Sequence, residues 1–208
     1  MRTYAQFCAV ARALDVVGDR WNLLIVRELL LRGPSRYSDL REGLPGIATN
    51  LLAERLAALE VGGVVNREAP KPPLATHVYS LTPRGVALSP VLRSLGAWGA
   101  PLLRDQGRDV VRAHWLALPA AELLRDREPA ARPILLRLRC GGEDLYLEVT
   151  GDGARATEAP DAQPDAAIEA SGEVLVGILT GRLDPDEARA QGALISGDPQ
   201  ALARVLPA

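Results

Sequence analysis

The stretch from Gly46 to Arg67 constrains the fold most, because its pattern predicts a helix that runs directly into a strand. Three leucines recur at helical spacing and share one face of that helix: Leu52, Leu56 and Leu59. Asn50 lies roughly opposite them, and the Gly62-Gly63 pair allows the left-handed backbone that commonly ends a helix. A short helix with a small-residue outer face fits the major groove of DNA, which admits one helix. An ordinary amphipathic surface helix has the same pattern, so the flanking segments decide between the two interpretations.

The segments before this helix predict further helices separated by strong breaks. The spacing of apolar residues predicts one helix over Tyr4 to Val17, and Asp19 can cap the next helix. Gly33-Pro34 breaks the chain, after which Ser35 is placed to cap a short helix from Arg36 to Glu42. This short helix, a turn and the helix described above have the spacing of a helix-turn-helix.

A two-stranded hairpin is predicted after the helix-turn-helix. Its strands run from Val64 to Glu68 and from His77 to Leu81, and the intervening segment 69–76 is proline-rich and cannot pair internally. A hairpin in this position is a wing. Thr82-Pro83 then begins a long predicted helix from Arg84 to about Arg104.

The two halves of the chain carry opposite net charge. Residues 1–104 hold 13 basic and 8 acidic residues, a net charge of +5, whereas residues 105–208 hold 11 and 18, a net charge of −7. We therefore predict two domains with these boundaries and with different partners. Only the basic half suits a polyanion such as DNA.

Several classes of protein are disfavoured by the sequence. Cys8 and Cys140 lie in different halves and form no disulfide framework, which predicts a reducing cytoplasm. No apolar run approaches the length of a membrane span, and the N-terminus lacks a signal-peptide core, so we expect no membrane partner. No spacing typical of a catalytic triad, a phosphate loop or a metal site is present, so we expect no enzyme, no cofactor and no metal.

Motifs of the first half occur in an order and spacing that resemble a known family. They are the segment from Cys8 to Trp21, Arg36-Tyr37-Ser38-Asp39-Leu40, Gly46-Ile47, Leu59-Glu60 and Tyr79-Ser80-Leu81-Thr82-Pro83. On these motifs, residues 4–103 resemble the HxlR-type winged-helix transcriptional regulators, which are related to the MarR group. The resemblance implies a homodimer built from helix 1 and the last helix of this half, with two recognition helices on a pseudo-palindromic DNA operator.

The predicted recognition helix contributes three candidate DNA contacts. Asn50 is the best candidate to read a base, because its amide can bond bidentately to adenine. A serine that is frequent in the family at position 48 is alanine here, so Thr49 has to cap the helix; its methyl group could equally touch a thymine methyl. Arg55 could clamp a phosphate, or it could brace the neighbouring Glu54 and Glu60.

Four further residues flank the recognition helix in the predicted fold. Arg36 and Ser38 stand at the start of the preceding helix, where side chains and a helix N-terminus suit phosphate contact. Lys71 and His77 flank the tip of the wing and could reach the minor groove or the phosphate backbone. His77 has no second histidine or cysteine nearby, so a metal-binding role is not expected.

Cys8 is a candidate redox sensor, because the family it resembles includes sensors with a cysteine at this position. That chemistry requires a thiolate, which Arg12 one helical turn later could favour. The alternative is a small apolar residue buried in a dimer helix, and nothing else in the sequence indicates an activated thiol.

The second half predicts an α+β arrangement. A helix over Val110 to Leu124, which Pro119 interrupts, precedes a hairpin and further strands. The predicted strands cover residues 134–140, 145–149, 154–157, 167–170 and 194–197. A helix over Gly172 to Leu179 and a closing helix capped by Asp198 complete the order.

Short signposts of this half also resemble a known domain. With Pro-Asp-Ala, Gly-Arg and Gly-Asp-Pro at similar intervals, residues 108–206 resemble a sterol-carrier-protein-like domain. The resemblance implies a sheet with helices over an apolar tunnel, lined by residues such as Trp115, Leu147 and Leu175. A filled core that supports the dimer is the alternative, because apolar side chains at these spacings form core more often than pocket.

The expected protein is a cytoplasmic homodimer that binds DNA and regulates transcription. Its fold class is α+β, with an N-terminal winged helix-turn-helix domain and a C-terminal sheet-and-helix domain of sterol-carrier type. The C-terminal domain would bind a small apolar effector or support the dimer. The alternative function is a carrier of an apolar small molecule with secondary DNA binding.

Overall fold

The computed structural model describes residues 3–69, 76–103 and 109–207. Its contacts divide the chain into two units, residues 1–94 and 95–208. The division falls within one helix, Ser89–Gly99, upstream of position 104, where the charge distribution places the domain boundary.

The first unit is a winged helix-turn-helix. Its elements are α1 (Ala9–Val17), α2 (Asn22–Arg32), β1 (Ser35–Arg36), α3 (Tyr37–Gly43), α4 (Thr49–Val61), β2 (Val65–Glu68), β3 (Val78–Leu81), α5 (Pro83–Val86) and α6 (Ser89–Gly99). The three strands form an antiparallel sheet in the order β1-β3-β2. Helices α3 and α4 form the helix-turn-helix, and β2 and β3 are the strands of the wing, as the sequence predicts.

Apolar side chains of α1, α2, α3, α4 and α6, with those of β2 and β3, form the core of this unit. The α4 face contributes the three leucines at helical spacing, which pack with residues of α2, α3 and β2: Leu52, Leu56, Leu59, Ile25, Leu29, Leu40 and Val65. Burying a leucine side chain stabilises a fold by about 1.5–3 kcal/mol. The three leucines therefore fix which face of α4 points inward.

Both ends of the first unit differ from the sequence prediction. Helix α1 begins at Ala9 rather than Tyr4, and Cys8 precedes it with an extended backbone. The predicted long helix is broken into α5, α6 and a short 3-10 helix, Ala100–Leu102. Pro90 explains the first break, because a proline ring clashes with the carbonyl group four residues earlier, which here belongs to Val86.

Three predicted helix caps are wrong. Trp21 rather than Asp19 is the N-cap of α2, and no side chain caps that helix. Ala48 is the N-cap of α4, and Thr49 is the first helical residue, with no capping hydrogen bond from a side chain. Ser35 lies in β1 instead of capping α3, and its hydroxyl group donates to the carbonyl oxygen of Gly33 at 3.0 Å. Short-range patterns could not separate the cap from its neighbour, because helix ends are ambiguous by one or two residues.

The second unit is a five-stranded sheet with helices. Its elements are a 3-10 helix (Ala113–Leu116), α7 (Ala117–Leu123), β4 (Ile134–Cys140), β5 (Glu143–Thr150), β6 (Gly153–Thr157), β7 (Ala166–Glu169), α8 (Gly172–Leu179), α9 (Pro185–Ala190), β8 (Leu194–Gly197) and α10 (Pro199–Val205). The strand order is β6-β5-β4-β7-β8, in which only the β4–β7 pair is parallel among the described strands. This is the α+β class that the sequence predicts.

Alternating residues of the central strands face the core of the second unit. Along β4 and β5 every second side chain is buried: Ile134, Leu136, Leu138, Cys140, Leu145, Leu147 and Val149. Helix α8 adds Leu175 and Ile178 to the buried set. A period of two with one apolar face is what a sheet covered by helices on that face requires.

An ion pair between Asp126 and Arg204 connects the last helix of the second unit to the segment before β4. The Asp126 carboxylate accepts hydrogen bonds from Arg204 of α10 at 2.5 and 3.1 Å. These bonds hold the pKa of Asp126 below its usual value. The pair fastens α10 to the loop before β4, and it joins residues that are 78 positions apart in the chain.

Helix α9 is the element of this unit that the sequence prediction missed. The Asp184 side chain accepts from the backbone amides of Asp186 and Glu187, and Glu187 accepts from the amide of Asp184 in return. This capping box supports a helix of only six residues.

In α7, Pro119 occupies the third position, where its missing amide hydrogen is not needed, so the helix continues past it.

Candidate nucleic-acid interface

Helix α4 presents an accessible polar and small-residue face. Asn50 and Thr49 are exposed at its first turn, and Ala53 and Ala57 are exposed further along. The leucine face is buried in the core of the first unit. The side chain predicted to read a base is therefore free of the core, as insertion into a groove requires.

Tyr37 holds the start of α4 against α3. Its hydroxyl group donates to the carbonyl oxygen of Thr49 at 2.5 Å, and its ring packs against the core. The Thr49 side chain remains exposed beside Asn50. The first turn of α4 is thus held through its backbone, which leaves both side chains available.

Arg36 and Ser38 are both exposed at the start of α3, where the sequence predicts phosphate contact. The Asp39 carboxylate already occupies this end of the helix, because it accepts from the Arg36 amide and from the Ser38 hydroxyl group at 3.0 Å each. The Arg36 guanidinium forms no ion pair with any other described residue. Phosphate contact at α3 would therefore rely on this guanidinium more than on the helix N-terminus.

The base of the wing is fastened by His77. Its Nδ1 atom lies 3.1 Å from the carbonyl oxygen of Glu68 on the opposite strand. The other residue predicted at the wing, Lys71, lies outside the described residues.

Asn66 and Arg67 of β2 are exposed, and the sequence reasoning missed them. Their position inside a predicted wing strand was the signal that could have found them.

Arg55 is engaged by two carboxylates. One terminal nitrogen pairs with Glu54 at 2.7 Å, and the other pairs with Asp19, which precedes α2. The bracing of Glu54 is one of the two interpretations drawn from the sequence. Asp19 was not predicted, because it lies 36 positions away along the chain.

Cys8 is exposed and free at the start of α1. Arg12, predicted to favour its thiolate, directs its guanidinium instead to Thr3 at 3.3 Å and to Asp15 at 3.5 Å. Asp15 also accepts from the backbone amide of Tyr4, and this bond is the main reason that the pKa of Asp15 lies below its usual value.

Large apolar side chains are exposed on α1 and on α6 with its extension. On and before α1 they are Tyr4, Phe7, Val10 and Leu14; on α6 and after it they are Val91, Leu95, Trp98, Leu102 and Leu103. Val91, Leu95 and Trp98 recur at i, i+4 and i+7 and so share one face of α6. Large apolar side chains that are exposed along one helix face are candidates for an interaction site.

The three residues predicted to line an apolar pocket lie in the second unit. Leu147 and Leu175 are fully buried, and Trp115 is partly buried. A shallow cavity of about 190 Å³ lies elsewhere in this unit, lined by polar residues such as Glu148, Asp152 and Arg155 and by none of the three. The two leucines are core residues in this structure, so a ligand between them would require the core to open.

No group of His, Cys, Asp and Glu side chains within residues 3–69, 76–103 and 109–207 could hold a metal ion. None of the helices in these ranges combines the length and the apolar character needed to cross a membrane.

The chain matches two protein families, one towards each end. The sequence profile of the HxlR-like helix-turn-helix family matches residues 16–106, and that of the SCP-2 sterol transfer family matches residues 116–206. The uncharacterized HTH-type transcriptional regulator YvaP of Bacillus subtilis (strain 168) is 41% identical over 88 residues, 42% of this chain and 80% of its own length. The HTH-type transcriptional regulator YodB of the same organism is 39% identical over 87 residues, 41% of this chain and 76% of its own length.

Solved structures of transcriptional regulators are also similar in sequence. The crystal structure of diamide-treated YodB from B. subtilis is 34% identical, covers 48% of this chain and 99% of its own, and has a TM-score of 0.39.

Proposed function

Because the chain belongs to the HxlR-like helix-turn-helix family of transcriptional regulators and carries an SCP-2 domain at its C-terminus, we propose that it binds a pseudo-palindromic operator as a homodimer. The observation that carries the proposal is the accessible face of α4, on which Asn50 and Thr49 are exposed while the leucine face is buried. Asn50 reads an adenine through its amide, and Thr49 contacts a neighbouring thymine methyl group. The relatives of the chain are transcriptional regulators, so we propose no enzymatic activity for it.

Phosphate contacts set the register of α4 in the groove. Arg36 and Ser38 approach the DNA backbone from the start of α3, and both are exposed. His77 and Lys71 serve the same purpose at the wing, where the exposed Arg67 adds a further cation. Contacts of this kind position a protein on DNA without reading its sequence.

A homodimer places two α4 helices on one operator. The exposed apolar side chains of α1 and α6 support this assembly, because a second copy of the chain would cover them. Two half-sites bound together give higher affinity than either one alone. A cytoplasmic location follows from the proposed partner, since the operator is chromosomal DNA.

Control of the operator complex is proposed at two places. Cys8 is exposed beside the apolar face of α1, so its oxidation would act on the proposed dimer contact. An apolar effector bound at Trp115, Leu147 and Leu175 is the second route, and the SCP-2 match supports it. Because both leucines are buried, effector binding would be coupled to a change in the core, which can shift operator affinity by linkage.

A second candidate function is favoured by the same match to the SCP-2 family. The chain would then be a carrier of an apolar small molecule, and DNA binding would be secondary. Tight ligand binding with weak and sequence-blind DNA contact is the behaviour expected of that carrier. Nanomolar, salt-dependent binding to one sequence is the behaviour expected of the regulator.

Selection of bound DNA from a random pool tests the proposed function, followed by titration of the selected operator with Asn50→Ala. We expect the variant to bind about 1–3 kcal/mol more weakly and to lose preference at one base pair per half-site. Its folding should be unchanged, because Asn50 is exposed. If no sequence is enriched, or if Asn50→Ala binds the selected operator as tightly as wild type, the placement of the reading face on α4 is wrong.

A further inference from the structure

Arg55 is poorly placed to reach a phosphate. Its side chain is 15% exposed, and its two terminal nitrogens are paired with Asp19 and Glu54. The remaining nitrogen, Nε, is buried without a hydrogen-bond partner in the described part of the chain. The two carboxylates also repel a phosphate from the same guanidinium, so the contacts of this arginine favour a role within the protein.

Asp19, the ion-pair partner of Arg55, lies in a short turn. This turn, Gly18–Trp21, connects α1 to α2. A side chain at Gly18 would come within 2.5 Å of the carbonyl oxygen of Leu14, and Trp21 has a left-handed backbone with a φ of 83°. The Arg20 guanidinium lies 5.6 Å from the centre of the Trp21 ring. Asp19 thus lies between a position that a side chain would crowd and a residue with a left-handed backbone.

Helix α4 also approaches α1 itself. At its C-terminal end, a side chain on Gly62 would come within 2.8 Å of Cγ1 of Val16, so the glycine permits a close approach. The Val16 carbonyl group also accepts a hydrogen bond from Asn22 at 3.0 Å. The ion pair between Arg55 and Asp19 and this close approach bracket the second half of α4.

We infer that Arg55 is a positioning residue, whose ion pair with Asp19 sets the rotation of α4 and thereby which side chains face the groove. The inference rests on the proposed function. Helix α1, which leads into the turn that carries Asp19, also bears the exposed apolar face assigned to the dimer. The same ion pair therefore connects the subunit contact to the helix that reads DNA.

The direction in which one substitution changes the operator affinity distinguishes a positioning role of Arg55 from a phosphate contact. Asp19→Asn removes a negative charge from the DNA-binding half, so electrostatics alone predicts operator binding that is tighter by about twofold. Loss of the positioning ion pair predicts the opposite, a weakening of about tenfold, because a misplaced α4 loses its base contacts. Freeing Arg55 for a phosphate would add to the tightening, so the two effects cannot be confused.

Glu54→Gln is the matched control. Asp19 and Glu54 have side chains that are 68% and 66% exposed, and each accepts a hydrogen bond from the same guanidinium. Glu54 lies next to Arg55 on α4, so its loss leaves the connection to the turn intact. We expect this variant to bind the selected operator at least as tightly as wild type.

The experiment titrates the selected operator with full-length wild type, Asp19→Asn, Glu54→Gln, Arg55→Gln and the Asp19→Asn/Arg55→Gln double variant at several salt concentrations. Positioning predicts that both single variants at 19 and 55 weaken binding about tenfold, and that the double variant is no weaker than either. It also predicts an unchanged slope of log affinity against log salt. Circular dichroism and thermal unfolding confirm that each variant is folded.

Three results would overturn the inference. They are tighter or unchanged binding by Asp19→Asn, a salt slope that falls by about one in Arg55→Gln, or equal weakening by Glu54→Gln. Failure of the proposed function gives a different result, because wild type would then select no operator. If wild type and Asn50→Ala behave as proposed and Asp19→Asn does not weaken binding, only the positioning role is lost.

Discussion

The Leu147→Ala substitution tests whether the second unit has a filled core or an open apolar tunnel when no ligand is bound. Leu147 lies on β5 between Leu136 of β4 and Ala156 of β6, and both leucines have 0% of their surface exposed. A water-sized cavity beside Leu147 would appear as exposed surface, so the side chain is packed on all sides. The structure therefore predicts a filled core in the unligated protein.

The size of the destabilisation follows from this packing. Removing three carbons costs about 2.4 kcal/mol of transfer free energy at about 0.8 kcal/mol per methylene. In a filled core the new cavity adds to that cost, and Leu→Ala substitutions then total about 3–5 kcal/mol. A leucine that lined an open tunnel would cost only the transfer part, because its neighbours already face empty space.

Amide hydrogen exchange is the appropriate assay, since the chain has two units and global unfolding need not be two-state. The free energy of opening at the slowest amides of β4 and β5 should fall by about 3–5 kcal/mol in Leu147→Ala. Leu194→Ala is the control, because Leu194 lies in β8 of the same sheet but is 67% exposed, and its change should stay within about 0.5 kcal/mol. A loss of about 2 kcal/mol or less, restored by an apolar ligand, would refute the filled core.

The remaining predictions concern the dimer and its proposed redox control. Trp98→Asp should convert the dimer to a monomer in sedimentation analysis and weaken operator binding more than tenfold, because Trp98 is 72% exposed on the apolar face of α6 and the monomer holds only one half-site. Leu194→Asp, a change of similar exposure outside that face, should leave the assembly intact; a monomeric wild type would contradict the proposed dimer. Cys8→Ser should keep operator binding in the presence of diamide or quinone, which should release the wild type. A wild type that is indifferent to both reagents excludes Cys8 as the sensor.

Local patterns predicted the elements whose signal lies within one helix or hairpin. The leucines of α4 specified its buried face, since three apolar residues at helical spacing have one way to enter a core. Alternation along β4 and β5 predicted the central hairpin, which the structure confirms. Helix α8 and strand β8 also lie where the sequence placed them.

Contacts between distant segments could not be predicted. Arg55 meets Asp19 across 36 positions, and Arg204 meets Asp126 across 78. Each of these ion pairs exists because separate elements pack together, and no spacing in the sequence encodes it. The break at Pro90 was missed for another reason: apolar periodicity continued across it, while the steric effect of the proline ring acted on the carbonyl group four residues earlier.

The same distinction limits what charge counting can say about DNA binding. The basic residues of the first half suggest a broad cationic surface, yet Arg55 is only 15% exposed and is paired with two carboxylates, and Arg12 pairs with Asp15 at 3.5 Å. Arg36 and Arg67 are exposed without an ion pair to other described residues. Counterion release depends on the cations that actually contact phosphate, so the salt dependence of operator binding should follow this smaller set rather than the net charge of +5 in residues 1–104. An arginine that is paired with carboxylates can instead orient the helix that carries it. The ion pair of Arg55 therefore bears on which bases α4 reads as well as on how tightly DNA is held.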